Sequence, residues 1–245
     1  MDRITHPDPA KGVFETILAA DGRPVELRAH MARLGASLEA LFGEEAPKEA
    51  AELVSARARG IGLGRLRLTV APNGAEGLTT EVVTAEVDPR LVFPPWERGA
   101  ELRSLIVEEG LGAHKWADRT VLENAEAQAP PGSVALVLDS DGVVMEASRA
   151  SVFAVREGRL FTPPADGRIL PGIARGRAIE VAGEEGVEAH EAELRLHDLL
   201  QADEVFLTGS VRGVEPVRSV DGSWIHRGGG VSERIAAGLR RRWLG

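Results

Sequence analysis

The chain has no cysteine and no tyrosine among its 245 residues, and of its 29 basic residues only Lys11, Lys48 and Lys115 are lysines. Without cysteine there is no disulfide and no thiolate metal site, and no need of an oxidising compartment. No basic stripe offsets the formal charge of −9, which argues against a nucleic-acid partner. No apolar run approaches the length that spans a bilayer, and Met1 to Pro9 is polar and lacks the apolar core of a secretion signal. A cytoplasmic soluble protein with no membrane partner is the expectation. What is present suits a globular chain: 43% of the residues are hydrophobic, 27% are charged, and the length suffices for a substantial core.

The scarcity of lysine gives weight to Lys115. Arginine serves equally well as a solvated charge, but its guanidinium does not readily lose a proton and cannot act as a Schiff-base amine. Lys48 lies in the polar run Glu44 to Glu49 and Lys11 near the N-terminus, whereas Lys115 stands in Gly112-Ala113-His114-Lys115-Trp116-Ala117-Asp118-Arg119. Desolvation beside Trp116 would lower the ammonium pKa and free the amine for chemistry. Taken alone, the segment fits an ordinary half-exposed lysine as well.

Periodicity organises the rest. Met31, Leu34, Leu38, Leu41 and Phe42 recur at helical spacing with Gly43 as C-cap, and Pro47 opens a second helical stretch to Ala58. Strands are expected at Leu66 to Val70 and Glu81 to Val87, around a turn at Pro72-Asn73-Gly74. Pro89 and Phe93-Pro94-Pro95-Trp96 interrupt any helix or central strand, so the division falls there: a small α/β domain over 1–92, a Pro-rich linker over 93–98 and a larger mixed domain over 99–245. In that domain strands are expected at Glu101 to Glu108, Val134 to Leu138, Val143 to Ala147, Ser151 to Arg156 and Glu204 to Thr208. Helices are expected at Asp118 to Ala129, from Gly172, at Leu196 to Gln201 and from Val231. The interleaving predicts an α/β or α+β fold rather than regular βαβ units.

Three features outside Lys115 bear on chemistry. Leu170-Pro171-Gly172-Ile173-Ala174-Arg175 delivers a helix N-terminus, whose free N–H groups attract phosphate, although most such segments simply start a helix. Thr208-Gly209-Ser210 places hydroxyls at a strand end, as phosphate donors or as a plain turn. Glu146 sits among apolar strand residues; it either faces outward or points inward and requires a partner such as a protonated pyridine nitrogen. Lysine, carboxylate and phosphate donors together are the parts that hold pyridoxal phosphate (PLP). The histidines offer no metal-ligand spacing, so no metal is expected. Gly228-Gly229-Gly230 lacks a P-loop continuation and reads as a flexible loop, Asp139, Asp141 and Asp221 read as turn residues, and Arg240-Arg241-Arg242 as a solvated helix end.

In sequence order, Gly12-Val13-Phe14-Glu15-Thr16, His30-Met31-Ala32-Arg33-Leu34, Lys115, Glu146 with Ser151-Val152-Phe153, Leu170 to Arg175 and Gly213-Val214-Glu215-Pro216-Val217 form one set. Over nearly its whole length the chain resembles the class IV aminotransferases, the PLP fold-type IV enzymes. The resemblance implies two α/β domains with PLP at their interface, in a homodimer. It implies Lys115 as the covalent anchor and proton-transfer base, and Glu146 as partner of the pyridine nitrogen. Arg33, Ser210, Gly172 and the N–H groups of Ile173 and Ala174 would bind the phosphate, with Leu170 on the ring face and Ser151 beside the cofactor. Ala174 and Ser151 replace the usual threonine and asparagine, which raises a degenerate, non-catalytic member as one alternative.

Within the family the absent tyrosine matters, because branched-chain and D-amino-acid aminotransferases use active-site tyrosines to orient substrate. Thr69-Val70-Ala71 also replaces the Arg-x-His carboxylate trap of the D-amino-acid enzymes. Lys115-Trp-Ala-Asp-Arg119, Leu136 to Gly142, Thr162-Pro163-Pro164 and Ser210-Val211-Arg212-Gly213 look instead like 4-amino-4-deoxychorismate lyases. That implies a small anionic, amino-bearing substrate, with Phe14, Thr16, Arg67 and Arg212 as its binding residues; the alternative is an aminotransferase. Arg65 and Arg67 share one strand face by their two-residue spacing. The chain begins close to the Phe-Glu-Thr motif, so a leading strand common in the family is expected to be shortened or missing.

Overall fold

Val13-Phe-Glu-Thr-Ile-Leu-Ala-Ala20 forms strand β1 (Val13–Ala20), and every residue in it except Thr16 is buried. A run covered on both faces lacks the two-residue alternation by which half-buried strands are recognised, so the sequence reading assigns it no element. The computed structural model describes residues 7–74, 77–108, 110–226 and 230–245. The expectation of a shortened leading strand, in part, and the Gly228-Gly229 part of the flexible loop lie outside them. Among the described residues no helix is long and apolar enough to cross a membrane.

The first sheet joins β1 to β2 (Arg23–Pro24), β3 (Leu63–Pro72) and β4 (Leu78–Glu86) in the order β2-β1-β3-β4, all antiparallel. Helices α1 (Leu27–Phe42) and α2 (Ala50–Ala58) pack on it, burying Leu34, Leu38 and Val54 against Ile17, Leu66, Leu68 and Val70. α1 stops at Gly43 in the left-handed region, as its sequence requires. α2 begins at Ala50 rather than at Pro47. In β3 Leu66 and Leu68 point to the core of this sheet, and Arg65 and Arg67 share the opposite face.

The second sheet begins with β5 (Ala100–Ile106) and also contains β6 (Val134–Leu138), β7 (Val143–Ala147), β8 (Ser151–Arg156), β9 (Arg159–Thr162), β10 (Ala189–Glu191), β11 (Leu194–Arg195), β12 (Glu204–Gly209), β13 (Gly213–Val220) and β14 (Ser223–Trp224). Its order is β10-β9-β8-β12-β13-β5-β6-β7-β11, with β14 on β13. A bridge between Ala147 and Ala150 brings β7 back against β8, so the central strands curl towards a ring. Helices α4 (Ile173–Glu184) and α6 (Val231–Leu244) pack on one side with Phe153 and Phe206 in their core. α3 (Thr120–Gln128) covers another part through Leu122, and α5 (Leu196–Leu200) places Leu199 in the remaining core. α3 starts two residues later than the sequence suggests, because the Asp118 carboxylate accepts from the Thr120 N–H and hydroxyl ahead of it. Arg241 and Arg242 pair with Glu185 and Glu180 instead of facing water alone.

The segment over 93–98, where the proposed division falls, is fastened rather than loose. Phe93 donates its N–H to the Arg212 carbonyl at 2.8 Å, and its ring meets Trp243 with centroids 5.7 Å apart. Across the two sheets, Arg177 of α4 forms a two-bond fork with Glu26 at 2.9 Å for each bond. A second tie is made of main chain: Phe14 N–H donates to Lys115 O at 2.8 Å, and Ala117 N–H to Gly12 O at 3.0 Å. Gly12 itself has φ +77°, and a Cβ there would lie 2.1 Å from Val70 O. Gly12→Ala is therefore expected to destabilise the protein by about 3 kcal/mol or more, since Val70 O is main chain and not a movable side-chain end. Denaturant unfolding with an unchanged m-value checks it.

Candidate active site

The main-chain tie to β1 fixes the Lys115 segment beside Phe14, and the Lys115 Nζ lies 4.9 Å from the centroid of that ring. Lys115 is half-buried and lines a cavity of about 320 Å³ between the two sheets. Lost solvation, reinforced by the positive charge of Arg33, lowers its pKa to about 8; Glu15 and Glu146 oppose the shift and Arg119 adds to it. Glu146, on β7, points inward and is 8% exposed. Burial raises its pKa to about 7, against the Leu170 N–H and the cations Lys115, Arg119 and Arg33. Among the described residues it accepts one hydrogen bond, from the Leu170 N–H at a long 3.4 Å. The carboxylate thus retains most of its capacity to accept.

Behind the lysine, Glu15 is 1% exposed and is gripped from two sides. His30 Nδ1 lies 2.7 Å from Oε2, and Arg33 donates through Nε at 2.8 Å and Nη2 at 2.6 Å. Burial pulls the Glu15 pKa upward, but the His30 bond and the Arg33 cation outweigh it and hold it at about 2. Burial keeps His30 below its ordinary value, so the neutral ring donates to Glu15. The fork fixes Arg33, which also donates through Nη1 to Pro171 O at 3.0 Å, at the entrance to α4.

That entrance has the properties an anion requires. Gly172 is the N-cap of α4 and no side chain among the described residues caps the helix, which leaves its first N–H groups without an intrahelical partner. A Cβ on Gly172 would stand 2.5 Å from Ser151 Oγ, so glycine lets the loop lie against Ser151. Thr208 Oγ1, on β12 in the cavity wall, is buried with no hydrogen-bond partner among the described residues. The residues present fit PLP: uncapped N–H groups and Arg33 suit its phosphate, Glu146 its pyridine nitrogen and Lys115 its aldehyde.

The same cavity gathers Phe14, Thr16, Arg33, Arg67, Lys115 and Glu146 with Ser151, Leu170, Gly172, Ile173, Ala174, Ser210 and Arg212. The Arg67 guanidinium covers the Phe14 ring at 3.9 Å, and that of Arg119 lies 5.9 Å from it. Arg119 donates to Ser148 O at 2.6 Å. Burial, then mutual repulsion with Arg119 and Arg65, lowers the Arg67 pKa. Among the described residues no carboxylate pairs with Arg65, Arg67 or Arg119. Sequence reasoning gave no role to Arg119, Arg149 or the Glu15–His30 pair behind Arg33. Glu15 had one visible signal, a charge inside an otherwise apolar run, whereas Arg149 is one arginine among many.

The profile of amino-transferase class IV matches residues 12–220. The branched-chain-amino-acid aminotransferase of Salmonella typhimurium is 33% identical over 184 residues, which are 66% of this chain and 57% of that protein; the match thus spans little more than half of the relative's length. The aminodeoxychorismate lyase of Vibrio harveyi is 30% identical over 85% of this chain and 83% of its own. In fold, the chain is similar to the PLP-bound form of a hypothetical aminotransferase from Mycobacterium tuberculosis, with a TM-score of 0.82, 24% identity and coverage of 100% and 94%. With a fold, a cavity and a matched profile that all coincide, the chain belongs to the class IV aminotransferases, a family of PLP-dependent enzymes.

Proposed function

We propose that the protein is a 4-amino-4-deoxychorismate lyase, which splits its substrate into pyruvate and 4-aminobenzoate. The observation that carries this reading is the cavity wall. A branched-chain substrate needs an apolar pocket for its side chain, whereas this cavity presents Arg65, Arg67, Arg119, Arg149 and Arg212, and the chain has no tyrosine to orient an amino acid. A substrate with an amine and two carboxylates answers those charges.

In this reading Lys115 would hold PLP through its amine, Glu146 would keep the proton on the pyridine nitrogen, and Arg33, Ser210 and the start of α4 would bind the phosphate. When bound, PLP supplies an electron sink for the charge left on a carbon that has lost its proton. Freed when the substrate amine takes its place on the cofactor, Lys115 Nζ would take the proton from the amine-bearing ring carbon of the substrate. The C–O bond at the adjacent carbon then breaks, and the electron pair leaves on the enolpyruvyl oxygen. Enolpyruvate gains a proton to become pyruvate, while the ring becomes aromatic as 4-aminobenzoate. Arg67 would anchor the ring carboxylate over Phe14. Glu15 keeps Arg33 in register throughout.

The likeness to branched-chain aminotransferases carries the second reading, transamination. Purified holoenzyme given aminodeoxychorismate without any keto acid separates them. Pyruvate release under those conditions supports the lyase; turnover only when an amino donor and a keto acid are both supplied sinks it.

Lys115 also sets how the cofactor is taken up. Only its neutral amine attacks an aldehyde, so the rate of PLP loading is expected to rise about tenfold per pH unit below a pKa of about 8 and to level off above it. Stopped-flow absorbance of the apoprotein mixed with PLP from about pH 6 to about pH 10.5 checks it; a rate still climbing beyond about pH 9 contradicts the lowered pKa.

A further inference from the structure

The turn between β7 and β8, the turn between β12 and β13 and the start of β13 bring Arg149, Arg212 and Glu215, respectively, to the wall of the same cavity. The Glu215 side chain is 3% exposed. Arg149 Nη2 donates to its two oxygens at 3.2 and 3.4 Å, which is a long, forked contact. Arg212 Nη1 lies 3.2 Å from Oε1, yet off the line of a hydrogen bond, and remains buried with no acceptor among the described residues. Two guanidinium groups therefore share one carboxylate. The cluster retains a net positive charge and an unsatisfied buried donor, a costly combination unless another anion completes it. Burial also lowers the Arg212 pKa and raises that of Glu215, as expected where the groups are short of both water and partners. Arg149, with 37% of its side chain exposed, can meet an incoming ligand without rearrangement of the core.

We propose that Arg149 and Arg212 form a clamp for a second carboxylate of the substrate, with Glu215 the resident counter-ion that holds both arginines in its absence. The clamp rests on the reading above for a substrate bearing two carboxylates, one for Arg67 and one for itself. An incoming carboxylate takes the vacant Arg212 Nη1 and competes with Glu215 for Arg149. A charge-assisted contact of this kind discriminates strongly between ligands with one and two carboxylates.

The test titrates PLP-loaded holoenzyme with benzoate and with isophthalate, rigid probes that carry one and two carboxylates, and follows the cofactor's absorption. Isophthalate is expected to bind at least about tenfold more tightly than benzoate. Arg149→Met and Arg212→Met should each erase that preference while PLP loading and benzoate binding remain. Glu215→Gln should strengthen isophthalate binding several-fold, because it removes the competing anion; a merely structural glutamate would weaken it. Equal binding of the two probes by the unaltered protein, a preference that survives both arginine variants, or weaker isophthalate binding in Glu215→Gln would each overturn the clamp. Arg149 is half-exposed, so its variant folds even if Arg212→Met does not. Pyruvate release tests the lyase reading separately: an arginine-dependent preference in a protein that releases no pyruvate keeps the clamp and removes the lyase, and the reverse outcome does the opposite.

Discussion

Lys115→Ala is expected to lower turnover by at least about 10⁴-fold, because a single amine both anchors the cofactor and moves the proton. The loss should fall on kcat and kcat/KM together. Folding should survive, since Lys115 joins the first sheet through its main chain and not through its ammonium. Removing a partly desolvated cation next to Arg33 and Arg119 also relieves repulsion. Borohydride reduction followed by peptide mapping, together with circular dichroism, checks both halves of the expectation: no labelled peptide over residues 112–119 and an unchanged fold. A variant with more than a hundredth of the original activity would remove Lys115 from its central place.

The second large effect has opposite signs for activity and stability. Glu146→Gln should reduce kcat by about 10²–10⁴-fold, because a neutral amide no longer keeps a proton on the pyridine nitrogen. The cofactor-free variant should nevertheless be more stable than the parent at neutral and higher pH. In the folded state the Glu146 pKa is raised from 4.5 to about 7, so the folded form holds a proton that the unfolded form has already released. Below about pH 4.5 both forms are protonated and the residue costs nothing. As the pH climbs from there to about 7 the cost of burying the carboxylate grows, and above that it is fully present, at about 3 kcal/mol. The stability advantage of Glu146→Gln should therefore vanish near pH 4 and be greatest at pH 8, where it amounts to a rise in Tm of about 5 °C or more. Thermal unfolding of both apoproteins across that range measures it; an advantage independent of pH would show that the carboxylate is not confined as described.

Glu146 also illustrates how far the sequence carries. Its neighbours Val143, Val144 and Met145 announce a strand, but a strand fully buried on both faces gives no clue to which way a charge points. The inward direction emerges only when Leu170 and α4 close over it. β1 escaped notice for the same reason, whereas α1, β3 and α4 were legible through spacing, alternation and a glycine at each appropriate end. Cavity residues carried by ordered motifs, such as Arg33 and Gly172, were readable one by one. Arg149 and Arg119 were not, because their meaning depends on partners 66 and 29 residues away, and no local pattern encodes such distances.

The bond between Phe14 and Lys115 joins positions about a hundred residues apart. Loop closure over that length comes late in folding, after local helices and hairpins have formed. Until it is made, Lys115 is an ordinary protonated lysine on an unfinished chain, with neither Arg33 nor Glu146 beside it. On the nascent polypeptide Lys115 is thus not yet a reactive amine, and its chemistry begins only when the first strand of one sheet closes on the segment that follows β5 of the other.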